Sequence, residues 1–149
     1  MDSEMSEEFV TFMIAEQLFG IPVLQIQDVL SSYHITPIPL APPEITGSLN
    51  LRGRVVTAID VRLRLGLPAR PSDADSMSIV AENEGELYSL TVDSVGEVLA
   101  LSQGAFERNL PTLDAKFRAF SEGIYRLEDQ LLVVLDVKRL LDYERSDAA

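Results

Sequence analysis

The chain has 149 residues, with 12 Lys and Arg against 24 Asp and Glu, one His, no Cys and no Trp, for a formal charge of −12. That excludes a disulfide framework, a thiolate metal site, a thiol nucleophile and a multi-histidine metal centre, so neither metal nor cofactor is expected. It also argues against nucleic acid and anionic lipid as partners, because both need clustered Lys and Arg. A 46% hydrophobic content is ample for a packed core. The N-terminus is acidic, and no apolar run reaches the roughly 20 residues of a membrane-spanning helix. The expected protein is therefore soluble and cytoplasmic, without direct membrane insertion.

In chain order, residues 8–14 form a short apolar strand, followed by a polar turn at Glu16 and Gln17 and a second strand over 18–23. After a long connection, 48–51 leads into a tight turn at Arg52 and Gly53, and 54–59 returns as the other half of a hairpin. Asp60 is placed to cap a short helix that begins at Val61, and Gly66 with Pro68 ends it. Residues 68–76, PARPSDADS, read as a linker. The same order then recurs: strands at 77–81 and 87–92 around a turn at 83–86, a hairpin of 124–127 and 130–135 about Glu128 and Asp129, and a cap at Asp136.

This recurrence is a duplication. Residues 19–30, FGIPVLQIQDVL, align with 88–99, YSLTVDSVGEVL, and residues 47–65 align with 123–141. Phe19 meets Tyr88, Ile26 meets Val95, Asp28 meets Glu97, and Ile59-Asp60-Val61 meets Leu135-Asp136-Val137. The predicted architecture is mostly β. It consists of two small barrel-like halves, about 8–67 and 77–143, with short helices and with free termini at 1–7 and 144–149. Closure into barrels would remove exposed sheet edges.

The run Gly47-Ser48-Leu49-Asn50-Leu51-Arg52-Gly53-Arg54-Val55-Val56, then Ile59-Asp60-Val61-Arg62, resembles the signature of the CheW coupling proteins of bacterial chemotaxis. Phe19-Gly20-Ile21-Pro22-Val23, Ile26, Asp28-Val29 and Thr36-Pro37-Ile38-Pro39 resemble the same family, and the likeness spans residues 8–143. Thr57 stands where many members carry Pro, which restores a backbone donor. The resemblance implies two SH3-like five-stranded β-barrel subdomains within a single domain. It also implies a non-enzymatic adaptor between a CheA-type histidine kinase, through its regulatory domain, and the cytoplasmic helical tips of methyl-accepting receptors. Such an adaptor is cytoplasmic and recruited to membrane-associated receptor arrays. The same role in a non-flagellar chemosensory pathway is the nearer alternative; a small acidic-pocket β-barrel enzyme or ligand carrier is the distant one.

Arg52 is the sharpest candidate, a guanidinium presented on a hairpin turn where the duplicate has Glu128. Read from the residues alone it is a solvated turn charge; with the resemblance it binds or organises a partner. Asp28 is placed to hold it by a charge-assisted pair. The family pattern also puts Ile26 and Val98, and more weakly Met77, in a groove that takes a receptor helix, against an ordinary core role for each. Asn50 is expected to bond the turn backbone. His34 is read as exposed in an extended pre-proline segment, Asp60 and Asp136 as caps, and Glu82, Glu84 and Glu86 as an exposed acidic turn. The kinase-binding residues are unassigned.

Overall fold

The computed structural model describes residues 5–31, 34–71, 74–108 and 113–142. The first half of the described chain forms β1 (Ser6–Ile14), β2 (Gln17–Pro22), β3 (Ile26–Leu30), β4 (Ile45–Leu51), β5 (Arg54–Asp60) and a one-turn helix α1 (Val61–Arg64). The second half forms β6 (Met77–Asn83), β7 (Glu86–Val92), β8 (Ser94–Ser102), α2 (Ala115–Arg118), β9 (Ser121–Arg126), β10 (Leu131–Leu135) and α3 (Val137–Leu140). The third strand of each half, β3 and β8, escaped the sequence reading. Both are edge strands with mixed exposure and so lack the apolar run that marks the others.

Hairpin geometry follows from the turn residues. Left-handed backbone at Arg52 (φ 51°) and Gly53 (φ 85°) joins Leu51 to Arg54 in a two-residue turn whose twist matches that of the strands. Glu84 and Gly85 do the same between β6 and β7. Between β1 and β2 the turn residues are Ala15 and Glu16, one position before the expected Glu16 and Gln17. Asp60 Oδ1 accepts the Arg62 N–H at 3.0 Å and Asp136 Oδ1 accepts the Arg139 N–H at 3.1 Å, so both aspartates cap their helices.

The two SH3-like subdomains are five-stranded sheets with the orders β8-β1-β2-β10-β9 (sheet 1) and β3-β6-β7-β5-β4 (sheet 2). Each sheet draws on both halves of the sequence, which corrects the expected division into one barrel over 8–67 and another over 77–143. The exchange is reciprocal. Replacing each strand in sheet 1 by its duplicate reproduces the order of sheet 2, including the parallel pairs β2–β10 and β7–β5. The first two strands of each half have crossed to the other half's sheet. Ser6 and Glu7, expected in a free terminus, extend β1 and pair with Ser102 and Leu101 of β8. Residues 1–4 and 144–149 of the expected termini, and Tyr143 at the end of the expected domain, lie outside the described residues.

Three apolar clusters explain why this arrangement holds. The largest lies between the sheets and includes Phe12, Phe19 and Ile21 from sheet 1 and Ile59, Ile79 and Leu90 from sheet 2. Phe9, Tyr125, Leu132 and Val134 fill the interior of sheet 1, and Leu49, Val56, Val80 and Leu87 that of sheet 2. Central strands such as β10, LLVVL, are thus buried on both faces. Leu132 and Val134 point to the subdomain interior, Val133 and Leu135 to the shared core, which is why they read as continuous apolar runs. The edge strands change allegiance midway. A bulge between Ile26 and Asp28 lets Ile26 pack on the shared core while Leu30 packs inside sheet 2. The equivalent bulge in β8 sends Val95 to the shared core and Leu99 into sheet 1.

Candidate functional site

The β4–β5 turn lifts Arg52 off the sheet with its side chain 74% exposed, and Arg52 Nη2 donates to Asp28 Oδ2 at 2.9 Å. Asp28 is itself fixed on β3: its Oδ1 accepts the Val29 N–H at 2.8 Å. Asn50 Oδ1 accepts the Gly53 N–H at 3.0 Å and stiffens the turn from below, as its type and position predict. An ion pair this exposed adds little stability. What it does is orient a guanidinium, and the rest of the Arg52 donors engage no acceptor among the described residues.

Ile26 and Met77 are partly buried against the shared core, Ile26 opposite Ala81 and Met77 opposite Val92. Val98 stands opposite Val10 on β8, the edge of sheet 1, and is 52% exposed. The structure therefore brings Arg52 to Asp28, sets Ile26 and Met77 on the same sheet as that pair, and leaves Val98 on the other sheet. Val29, the duplicate of Val98, is likewise exposed on the equivalent edge. His34 is exposed in a loop, and Glu82, Glu84 and Glu86 are exposed around their turn. Glu82 accepts from Gln27 Nε2 at 3.2 Å.

A second polar centre was not legible in the sequence. Arg70, in the stretch read as a linker, has its side chain only 10% exposed; it donates from Nε and Nη2 to Asp93 Oδ1 at 3.0 and 2.8 Å and from Nη1 to Asp60 Oδ2 at 3.2 Å. Arg62 Nη1 lies 3.2 Å from Asp93 Oδ2, and the same carboxylate oxygen accepts the Ala15 N–H at 2.9 Å. The segment at Arg70 is thus pinned rather than free, which corrects the linker reading there. Nothing local in Pro-Ala-Arg-Pro signals it, because the partners lie 10 and 23 residues away.

Burial alone would raise the Asp93 carboxyl, but the Ala15 N–H and the Arg70 and Arg62 guanidiniums outweigh it and hold the group below the usual carboxylate value. A depressed folded value contributes stability that is complete above the unfolded pKa of about 4 and is lost as pH falls through the folded value. Asp93→Asn should therefore flatten the acid limb of the stability curve below about pH 4, read by chemical denaturation at each pH. An acid limb unchanged by the substitution would count against this role.

Among the described residues no helix is long and apolar enough to cross a membrane, and no group of three His, Asp or Glu is placed to hold a metal ion. Comparison with known proteins gives a consistent result. Residues 8–145 match the sequence profile described as the CheW-like domain. The chain is 27% identical over 143 residues to the chemotaxis protein CheW of Rhizobium meliloti, covering 95% of this chain and 92% of that protein. It is 29% identical over 144 residues to the chemotaxis protein CheW of Bacillus subtilis, covering 96% and 92%. Among solved structures, the scaffolding protein TtCheW from Thermoanaerobacter tengcongensis superposes with a TM-score of 0.83 at 33% identity, covering 93% of this chain and 94% of that one.

Proposed function

The chain belongs to the CheW-like domain family, non-enzymatic scaffolds of chemotaxis, and from that premise we propose that it couples methyl-accepting chemoreceptors to a CheA-type histidine kinase. The observation that carries the reading is the Arg52–Asp28 pair. A guanidinium held at 2.9 Å by a carboxylate on β3, the opposite edge strand of the same sheet, with no other acceptor among the described residues, is built to meet a partner rather than to stabilise the fold.

The receptor surface is the face around that pair. Arg52 supplies charge and register, and Asp28 fixes its orientation. Ile26 and Met77 on sheet 2 and Val98 on sheet 1 provide apolar contact for a helix laid across the junction of the subdomains. The kinase's regulatory domain binds elsewhere, on subdomain surfaces that no residue here singles out. Recruitment to receptor arrays then follows from binding, since the chain needs no membrane segment of its own for it. The mechanism is a coupling free energy: receptor and kinase each bind the scaffold, and holding them together lets one bias the other.

Co-sedimentation with receptor-bearing membranes and a matched kinase tests this. The wild-type chain should pellet in a receptor-dependent and kinase-dependent manner. Arg52→Glu should weaken receptor-dependent pelleting by about tenfold in affinity while the melting transition stays within what an exposed pair contributes, under about 1 kcal/mol. Wild-type protein left in the supernatant would overturn the coupling role. Pelleting unchanged by Arg52→Glu would remove the receptor face from this turn.

A further inference from the structure

Two clefts open at equivalent places in the duplicated fold. One, about 490 Å³, has Ser76, Thr46, Ile35 and Thr91 in its wall, beside sheet 2. The other, about 330 Å³, has Glu7, Glu122, Phe106 and Pro22 in the corresponding positions, beside sheet 1. The repeat made the pair, and the two have since diverged in charge. The sheet 2 cleft contains an arginine of its own, Arg70, whose Nη1 lies 3.2 Å from Asp60 Oδ2. Among the described residues no Lys or Arg lines the sheet 1 cleft.

Three features of the sheet 1 cleft belong together. One of its carboxylates is poorly compensated: partial burial, then Asp136 and Glu7, push the Glu122 carboxyl up, against the weaker pull of Arg139 and Arg108. Arg139 is engaged with Asp136 at 3.6 Å, and Arg108 lies 5.9 Å from the centroid of the Phe106 ring. Tyr125 lines the same cleft, 3% exposed and flanked by Phe9 and Phe106 at ring-centroid distances of 5.5 and 5.4 Å. Its hydroxyl has no hydrogen-bond partner among the described residues and is not among the fully occluded polar atoms, so it faces the cleft that its residue lines.

We infer that the sheet 1 cleft is a docking site for an arginine side chain presented by a protein partner. Glu7 and Glu122 supply the charge, the Tyr125 hydroxyl an acceptor in the same wall, and Phe106 a ring of the kind over which Arg108 lies. A guanidinium has the forked donors to reach several of these at once, whereas an ammonium reaches them as a single point. The volume, at the lower end of small-molecule pockets (about 300 Å³), suits one long side chain rather than an extended ligand. The net charge of −12 steers a basic partner toward such a face. This inference goes beyond the adaptor reading, and its test uses neither kinase nor receptor, so the two can fail separately.

The test is a titration of the isotope-labelled full chain, followed by its amide spectra, with the blocked tripeptide acetyl-Gly-Arg-Gly-amide, its lysine and citrulline counterparts, and free arginine. The arginine peptide should shift the amides of Gln103, Glu122 and Tyr125 with a millimolar dissociation constant, lysine should bind more weakly, and citrulline should not bind. Glu122→Gln and Tyr125→Phe should each weaken the arginine peptide by about three- to tenfold. Should a variant fail to fold, the peptide series on the wild-type chain decides alone. Citrulline binding as well as arginine, no shift with any peptide, or free arginine binding as tightly as the blocked peptide would each overturn the inference, the last by marking a site for a free amino acid.

Discussion

Replacing Arg70 with Met should destabilise the chain by about 3 kcal/mol, the scale seen when one partner of a buried ion pair is removed. The reason is what the side chain leaves behind. Asp93 would keep Arg62 and the Ala15 N–H but lose two contacts from Arg70, and Asp60, itself largely buried, would keep its capping bond while losing the one cation that pairs with it among the described residues. One guanidinium therefore ties together the start of α1, the turn between β7 and β8, and, through Asp93, the turn between β1 and β2. Denaturant titration of Arg70→Met against wild type measures the loss. Arg70→Lys keeps the charge without the fork and should recover less than half of it. Adding Asp93→Asn to Arg70→Met should cost less than the two single losses together, because the orphaned charge leaves with its partner. A loss under about 1 kcal/mol for Arg70→Met would mean that the segment is solvated and unpinned.

Gly47→Ala should be comparably severe, at about 2–3 kcal/mol, for a steric reason. A Cβ on Gly47 would stand 2.2 Å from the Thr36 carbonyl oxygen and 2.6 Å from Ile35 Cγ2. The obstacle is mostly backbone, so it cannot turn aside. The methyl must break the bridge in which Thr36 N–H donates to Ser48 O at 2.7 Å and Ser48 N–H donates to Thr36 O at 2.8 Å, the contact that covers the outer edge of β4. Hydrogen exchange should show protection lost at the Thr36 and Ser48 amides together with the fall in stability. Gly53→Ala is the contrasting case: it also has positive φ, but nothing lies within 4 Å of the added methyl, so only the backbone preference of about 1 kcal/mol is lost. If the two substitutions cost the same, close approach is not what selects glycine at 47.

The duplicate answers to the same physics. Gly123 stands where a Cβ would be 2.4 Å from the Glu107 carbonyl oxygen, under the bridge between Glu107 and Ile124 that covers β9. That the repeat preserves this device in both subdomains, along with the bulges in β3 and β8 and the parallel central pairs, shows the pattern to be structural. Arg52 against Glu128, and Thr46 and Ser76 against Glu122 and Glu7, are places where the copies part. Those differences fall at the proposed binding surfaces.

Local chemistry was legible in the residues themselves. Alternating or continuous apolar runs marked the central strands, left-handed turn positions marked hairpins, and an Asp before an amphipathic turn marked each cap. These are short-range consequences of backbone geometry and hydrogen-bond satisfaction, and sequence alone determined them, with the duplication and the family signature. Tertiary structure alone decided that β1 and β2 join β8, β9 and β10 while β6 and β7 join β3, β4 and β5. The strands of a duplicated chain are near-equivalent partners, so pattern cannot say with which copy each will pair. That choice is made by the core that closes between the sheets, where Phe12 and Phe19 meet Ile59 and Leu90 in one cluster. The burial of Arg70 and the divergence of the two clefts follow from that closure, since both depend on residues far apart in the chain that come together only once the sheets have packed.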